Sequence, residues 1–141
     1  MLWGGGKPIS LKTKDARVGL ELSMRYEIIH IPDDLERGPY KVSTRGYLYS
    51  IQSADGAEVL SYHWHPFGNS AVTRPHLHMG AVALAPEGLI TKKAHLPTAR
   101  ISLEQVLRWC ITELGVSALR EDWERVLNDG EDVFKLLRSW G

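Results

Sequence analysis

Residues 40–65, YKVSTRGYLYSIQSADGAEVLSYHWH, decide the fold. Two runs rich in β-branched and aromatic residues flank SADGA. Asp55-Gly56 within it is a strong hairpin signal, because a two-residue type I′ turn needs positive φ at both central positions. With Ala54 opposite Ala57, Tyr49 falls against Tyr62 and Ile51 against Leu60. Side chains alternate along a strand, so Tyr62 and Trp64 point to an apolar face, and His63 and His65 to the other.

The same alternation extends in both directions. SMRYEIIHI (23–31) sets Met24, Tyr26, Ile28 and His30 against Ser23, Arg25 and Glu27, the period of a half-buried strand, and PDDLERGP (32–39) then breaks it. Downstream, HLHMGAVAL (76–84) turns Leu77 and Met79 inward and His76 and His78 outward. If PFGNSAVTRP (66–75) closes a hairpin loop, His65 faces His76 and His63 faces His78, with opposed Cβ atoms about 4.5–5.5 Å apart. Four imidazoles then form one patch.

Residues beyond 100 carry helical spacing. Ser102 and Gln105 make a capping box, Leu103, Val106, Leu107, Cys110, Ile111 and Leu114 follow on one face, and Gly115 is the stop. SALREDWERVLND (117–129) and EDVFKLLRSW (131–140) read as two shorter amphipathic helices. Their Leu119, Trp123, Val126, Leu127, Val133, Phe134 and Leu137 are expected to cover the aromatic face of the sheet. The expectation is an α+β fold, an antiparallel meander of about four strands packed on one face by C-terminal helices. Residues 15–141 form its single domain, after a loose arm over 1–14 with three glycines and three lysines.

Composition bounds the function. The chain has 141 residues, 43% of them hydrophobic, enough for one sizeable core. Its 17 basic and 17 acidic residues cancel, so no global charge draws it to nucleic acid or an anionic membrane. Locally, Arg74, Lys92, Lys93 and Arg100 face only Glu87, which makes the histidine region basic and gives RNA a local patch, with Arg45 as a further candidate. A single cysteine, Cys110, excludes an internal disulfide and leaves metal ligation to histidine. No apolar run of signal or membrane-spanning length occurs, so the expected compartment is the cytoplasm.

The strand GYLYSIQ (46–52), the Asp-Gly turn, VLSY (59–62), the histidine-bearing PHLHMG (75–80) and ISLEQVL (101–107) together resemble the small TumE-type toxins, whose genes usually sit beside a minimal nucleotidyltransferase antitoxin. The resemblance covers residues 46–110. It implies a toxin-type ribonuclease of a toxin–antitoxin module, with a cognate antitoxin as protein partner.

The residues themselves leave three readings of the patch open. In the first, His63, His65, His76 and His78 bind zinc or another divalent transition metal, since neutral imidazoles suit such ions. In the second, acid–base catalysis by His63, His76, His78 and His95 is assisted by a cation from Arg74 or Arg100. In the third the histidines are structural, and the chain is a non-enzymatic module offering its acidic C-terminal helices or aromatic sheet edge to a protein. His30, at the apolar side of its strand, reads as structural, and Cys110, on the apolar side of a helix, as inert.

Overall fold

Short links between extended runs favour pairing of sequence neighbours, and the sheet follows that rule throughout. The computed structural model describes residues 7–32, 38–67, 69 and 71–137, excepting the side chains of 136 and 137. Six antiparallel strands lie in sequence order: β1 (Ile9–Lys12), β2 (Arg17–His30), β3 (Tyr40–Gln52), β4 (Glu58–Trp64), β5 (His76–Met79) and β6 (Leu96–Pro97). Two helices follow, α1 (Leu103–Thr112) and α2 (Trp123–Leu137). Cross-strand rows build the core face. One row joins Leu20, Ile51, Leu60 and Met79, the next Leu22, Tyr49, Tyr62 and Leu77, and the third Met24, Tyr47 and Trp64. Val106 and Cys110 of α1 close over them.

The strand count exceeds the expected four because two short edges escaped the reading. Ile9 and Leu11, inside the supposed loose arm, alternate onto the core and make β1. The Ser117 N–H donates to the Lys12 carbonyl at 2.9 Å, and Thr13 bridges to Val116, so the chain leaving α1 pins this edge. Residues 1–6 of that arm lie outside the described residues.

The hairpin register is as expected, with Tyr49 opposite Tyr62 and Ile51 opposite Leu60, but the turn that delivers it is different. Gly56 alone takes positive φ, at 86°, and Ser53 rather than Ala54 hydrogen-bonds Ala57. The extra loop residue is absorbed by a bulge: Gln52 pairs with Glu58, which leaves Val59 over and turns Glu58 onto the histidine face.

The β4–β5 register is shifted by two residues from expectation. His63 lies opposite His76 and Ser61 opposite His78, whereas the sequence suggested His65 with His76 and His63 with His78. A slip of two keeps every side chain on its face, so the patch survives. Gly80 fixes the register: its N–H donates to the Val59 carbonyl at 2.7 Å, and a Cβ there would sit 1.7 Å from the Glu58 carbonyl oxygen.

At α1, Ser102 and Gln105 form the reciprocal capping box, and the Tyr47 hydroxyl accepts the Ile101 N–H at 3.0 Å, fastening the helix start to the sheet. Gly115, at φ 66°, ends the helix with the Val116 N–H on the Cys110 carbonyl. The two shorter helices expected after it are one. Gly130 does not break α2; a Cβ there would lie 3.0 Å from Glu104 Oε1, so glycine leaves room for the Glu104 side chain of α1. Trp123, Leu127 and Phe134 are half-buried, while Leu119, Val126 and Val133 are exposed, so α2 covers less of the sheet than its sequence suggested. His30 is exposed against the Tyr40 ring. Among the described residues no helix is long and apolar enough to cross a membrane.

Candidate functional site

Five of the six histidines converge on the sheet face opposite the core. Ring centroids of His63, His76 and His78 are 4.8 to 5.6 Å apart. His65, one residue past β4, stands 5.6 Å from His63 and 5.5 Å from His76. His95, just before β6, reaches within 4.9 Å of His76 and 4.4 Å of His78. His76 is 1% exposed at the centre, His63 and His78 are half-buried, and His65 and His95 are exposed at the rim.

A backbone carbonyl fixes the tautomer of the central ring. His76 Nδ1 lies 2.7 Å from the Arg74 carbonyl; a carbonyl only accepts, so Nδ1 carries the proton and Nε2 keeps its lone pair. That Nε2 is buried with no hydrogen-bond partner. His78 hydrogen-bonds the backbone of Lys92. His63 Nε2 lies 3.0 Å from the hydroxyl of Ser61, a fully buried residue that donates to or accepts from it according to the His63 tautomer; with Nε2 protonated, Nδ1 keeps its lone pair. One ligand nitrogen from each of His63, His76 and His78 lies within 4.8 Å of the other two. Two nitrogens on one tetrahedral ion sit about 3.4 Å apart, given bonds of about 2.0–2.1 Å, so a bound ion would draw together any pair that stands farther apart.

Burial and mutual repulsion favour the neutral form of His63 and of His78. Burial, then repulsion from His78, His76, His65 and His95, pushes His63 down to about 4. His78 is also lowered, by burial first and then by His95 and His76, against the Lys92 backbone and the Glu58 carboxylate, which raise it. Neutral imidazole is the form that ligates metal.

Each expected site residue has a definite place. His63, His65, His76, His78 and His95 come together. Arg74 touches the site through its backbone carbonyl, and its side chain is exposed. Arg100 does not join: its guanidinium stacks 3.8 Å over Trp64, which points to the core face, so it follows the aromatic stripe instead of His95. Cys110 is buried and its thiol pushed up to about 11 by desolvation, as inertness requires. Sequence reasoning missed Ser61 and Glu58. The His63-x-Ser61 spacing signals the first; the second depends on a bulge that alternation cannot reveal.

Comparison of the chain with models of protein families, with curated proteins and with solved structures found no match.

Proposed function

We propose that this protein is a metal-dependent phosphodiesterase whose centre is a divalent transition-metal ion, of the zinc class, held by His63, His76 and His78. The observation that carries the reading is His76 Nε2: a lone pair buried without a partner, on a ring whose neighbours include the imidazoles of His63 and His78. An orphaned buried acceptor costs about 1–3 kcal/mol, a cost that a bound cation removes. His76 and His78 each spend one ring nitrogen on backbone, the outer-shell arrangement that fixes tautomer and orientation in metal-ligating histidines.

Three protein ligands are the usual complement of a catalytic centre, whereas structural zinc takes four. The ion supplies a Lewis acid for a phosphoryl oxygen, and exposed His65 and His95 stand where a proton can be taken up or given. Metal-free exchange between two inner imidazoles needs one of them charged, which burial and mutual repulsion oppose at His63 and His78. The loops that anchor His76 and His78 carry Arg74, Lys92 and Lys93, all exposed, which suits an anionic diester such as RNA. The resemblance of residues 46–110 to TumE-type toxins supports assigning that activity to a cytoplasmic toxin restrained by an antitoxin.

The test is protein made without a histidine tag. It should retain a near-stoichiometric transition metal, cleave RNA, and lose both cleavage and thermal stability on chelation. Produced alone in cells it should arrest growth, and His76→Ala with His78→Ala should relieve the arrest. A metal-free preparation indifferent to chelator contradicts the reading.

A further inference from the structure

Beyond His65 the histidine face continues into connected clefts. The nearer, about 210 Å³, runs from Ser23, Leu48 and His65 to Phe67; the farther, about 460 Å³, reaches Tyr26 and Glu27. Arg25, Arg45 and Phe67 line both. Local structure explains the opening. Arg25 pairs with Gly46 and Tyr26 with Thr44, so Arg45 is the extra residue of a bulge, and bulges re-aim side chains beside sites. Gly46 on the cleft floor can carry no side chain, because a Cβ would lie 2.8 Å from the Trp64 carbonyl oxygen.

Phe67 is a large apolar side chain, 64% exposed, lining the same cleft as two arginines. Arg45 Nε and Nη2 both bond Glu27 Oε2, at 2.8 and 2.7 Å, which holds the guanidinium in place and leaves it further donors. Arg25 is exposed. Two guanidiniums against one carboxylate leave the cleft net positive. An exposed aromatic ring flanked by cations is the combination that grips single-stranded nucleic acid, since a ring offers stacking to any unpaired base while cations hold the backbone. A duplex keeps its bases stacked and has no use for Phe67.

We propose that these clefts form a single-stranded RNA subsite, in which a base stacks on Phe67, Arg25 and Arg45 hold the adjoining phosphates, and the strand passes His65 to the histidine centre. The proposal rests on the phosphodiester reading of that centre and names the part of the surface that delivers its substrate.

The experiment uses the full chain as purified and a fluorescein-labelled 2′-O-methyl RNA of about a dozen nucleotides, read by polarisation. Phe67→Ala should weaken binding about tenfold and Phe67→Tyr should restore it. Arg25→Gln should lower the slope of log affinity against log salt by about 0.7, one phosphate contact on a single strand. A duplex of the same sequence should bind more weakly and ignore Phe67. Both positions are exposed, so neither change reaches the core, and the metal content of each variant should match wild type. Unchanged affinity and salt slope in Phe67→Ala and Arg25→Gln overturn the subsite. Hydrolysis of bis(p-nitrophenyl) phosphate, too small to need the clefts, separates the two claims. Diester cleavage without strand binding removes the subsite and leaves the centre; Phe67-dependent binding without diester cleavage keeps the subsite and removes the hydrolytic reading.

Discussion

Replacing His76 by leucine separates a metal ligand from a structural histidine. The ring is 1% exposed, its Nδ1–H bonds the Arg74 carbonyl at 2.7 Å, and its Nε2 has no partner. Leucine is close in size and leaves nothing unsatisfied at the ring position, while the Arg74 carbonyl, on an exposed residue, can turn to water. Losing the hydrogen bond costs about 1 kcal/mol, and removing the orphaned nitrogen returns about 1–3 kcal/mol. Chelated His76→Leu should therefore range from equal to wild type to about 2 kcal/mol more stable. With metal the order reverses. Wild type at a free metal concentration about a hundred times its Kd gains about 2.7 kcal/mol, near 10 °C in melting temperature for a domain of this size, and the variant gains little of it. Urea and thermal unfolding, each with chelator and with zinc, give all four values. A chelated variant destabilised by more than about 2 kcal/mol, with a zinc response equal to wild type, refutes the argument.

Further outcomes follow from the same contacts. In chelated protein His63 is held near 4 in the fold against 6.5 when unfolded, so protons favour the unfolded chain. Stability should be full above about pH 6.5 and fall as pH drops towards 4, by about 2 kcal/mol after discounting for partial exposure, as read from urea midpoints. Gly80→Ala should cost about 3 kcal/mol or more, because its Cβ meets backbone at 1.7 Å and β5 must shift; Gly56→Ala, strained only by its positive φ, should cost about 1–2 kcal/mol in the same denaturation assay. Ser102→Ala removes the cap on α1 and should cost about 1 kcal/mol, with metal affinity unchanged.

Strict alternation made the sheet faces legible. Tyr62 and Trp64 against His63 and His65, then Leu77 and Met79 against His76 and His78, are assigned by sequence alone because the period of a strand is two. The same property hid the β4–β5 register, since a slip of two residues leaves every face intact and only the approach of Gly80 to Glu58 distinguishes the alternatives. β1 was hidden by composition: the glycines and lysines of residues 1–14 masked the two apolar residues, Ile9 and Leu11, that form an edge. Gly130 reads as a break because its cost inside a helix is local, whereas the Glu104 side chain for which it leaves room lies 26 residues away in the chain. At the site, alternation gathered four histidines, but the fifth depends on how residues 81–97 cross the face, and Arg100 answered to the Trp64 ring.

The central claim is that His63, His76 and His78 share one ion. Crystals of tag-free protein grown with zinc, measured on both sides of the zinc absorption edge, test it most directly. The account predicts one strong anomalous peak about 2.0–2.1 Å from a ring nitrogen of each of the three, with His76 bound through Nε2 and its Nδ1 still on the Arg74 carbonyl. An anomalous map with no peak among these rings, or with zinc held only elsewhere on the surface, would contradict it.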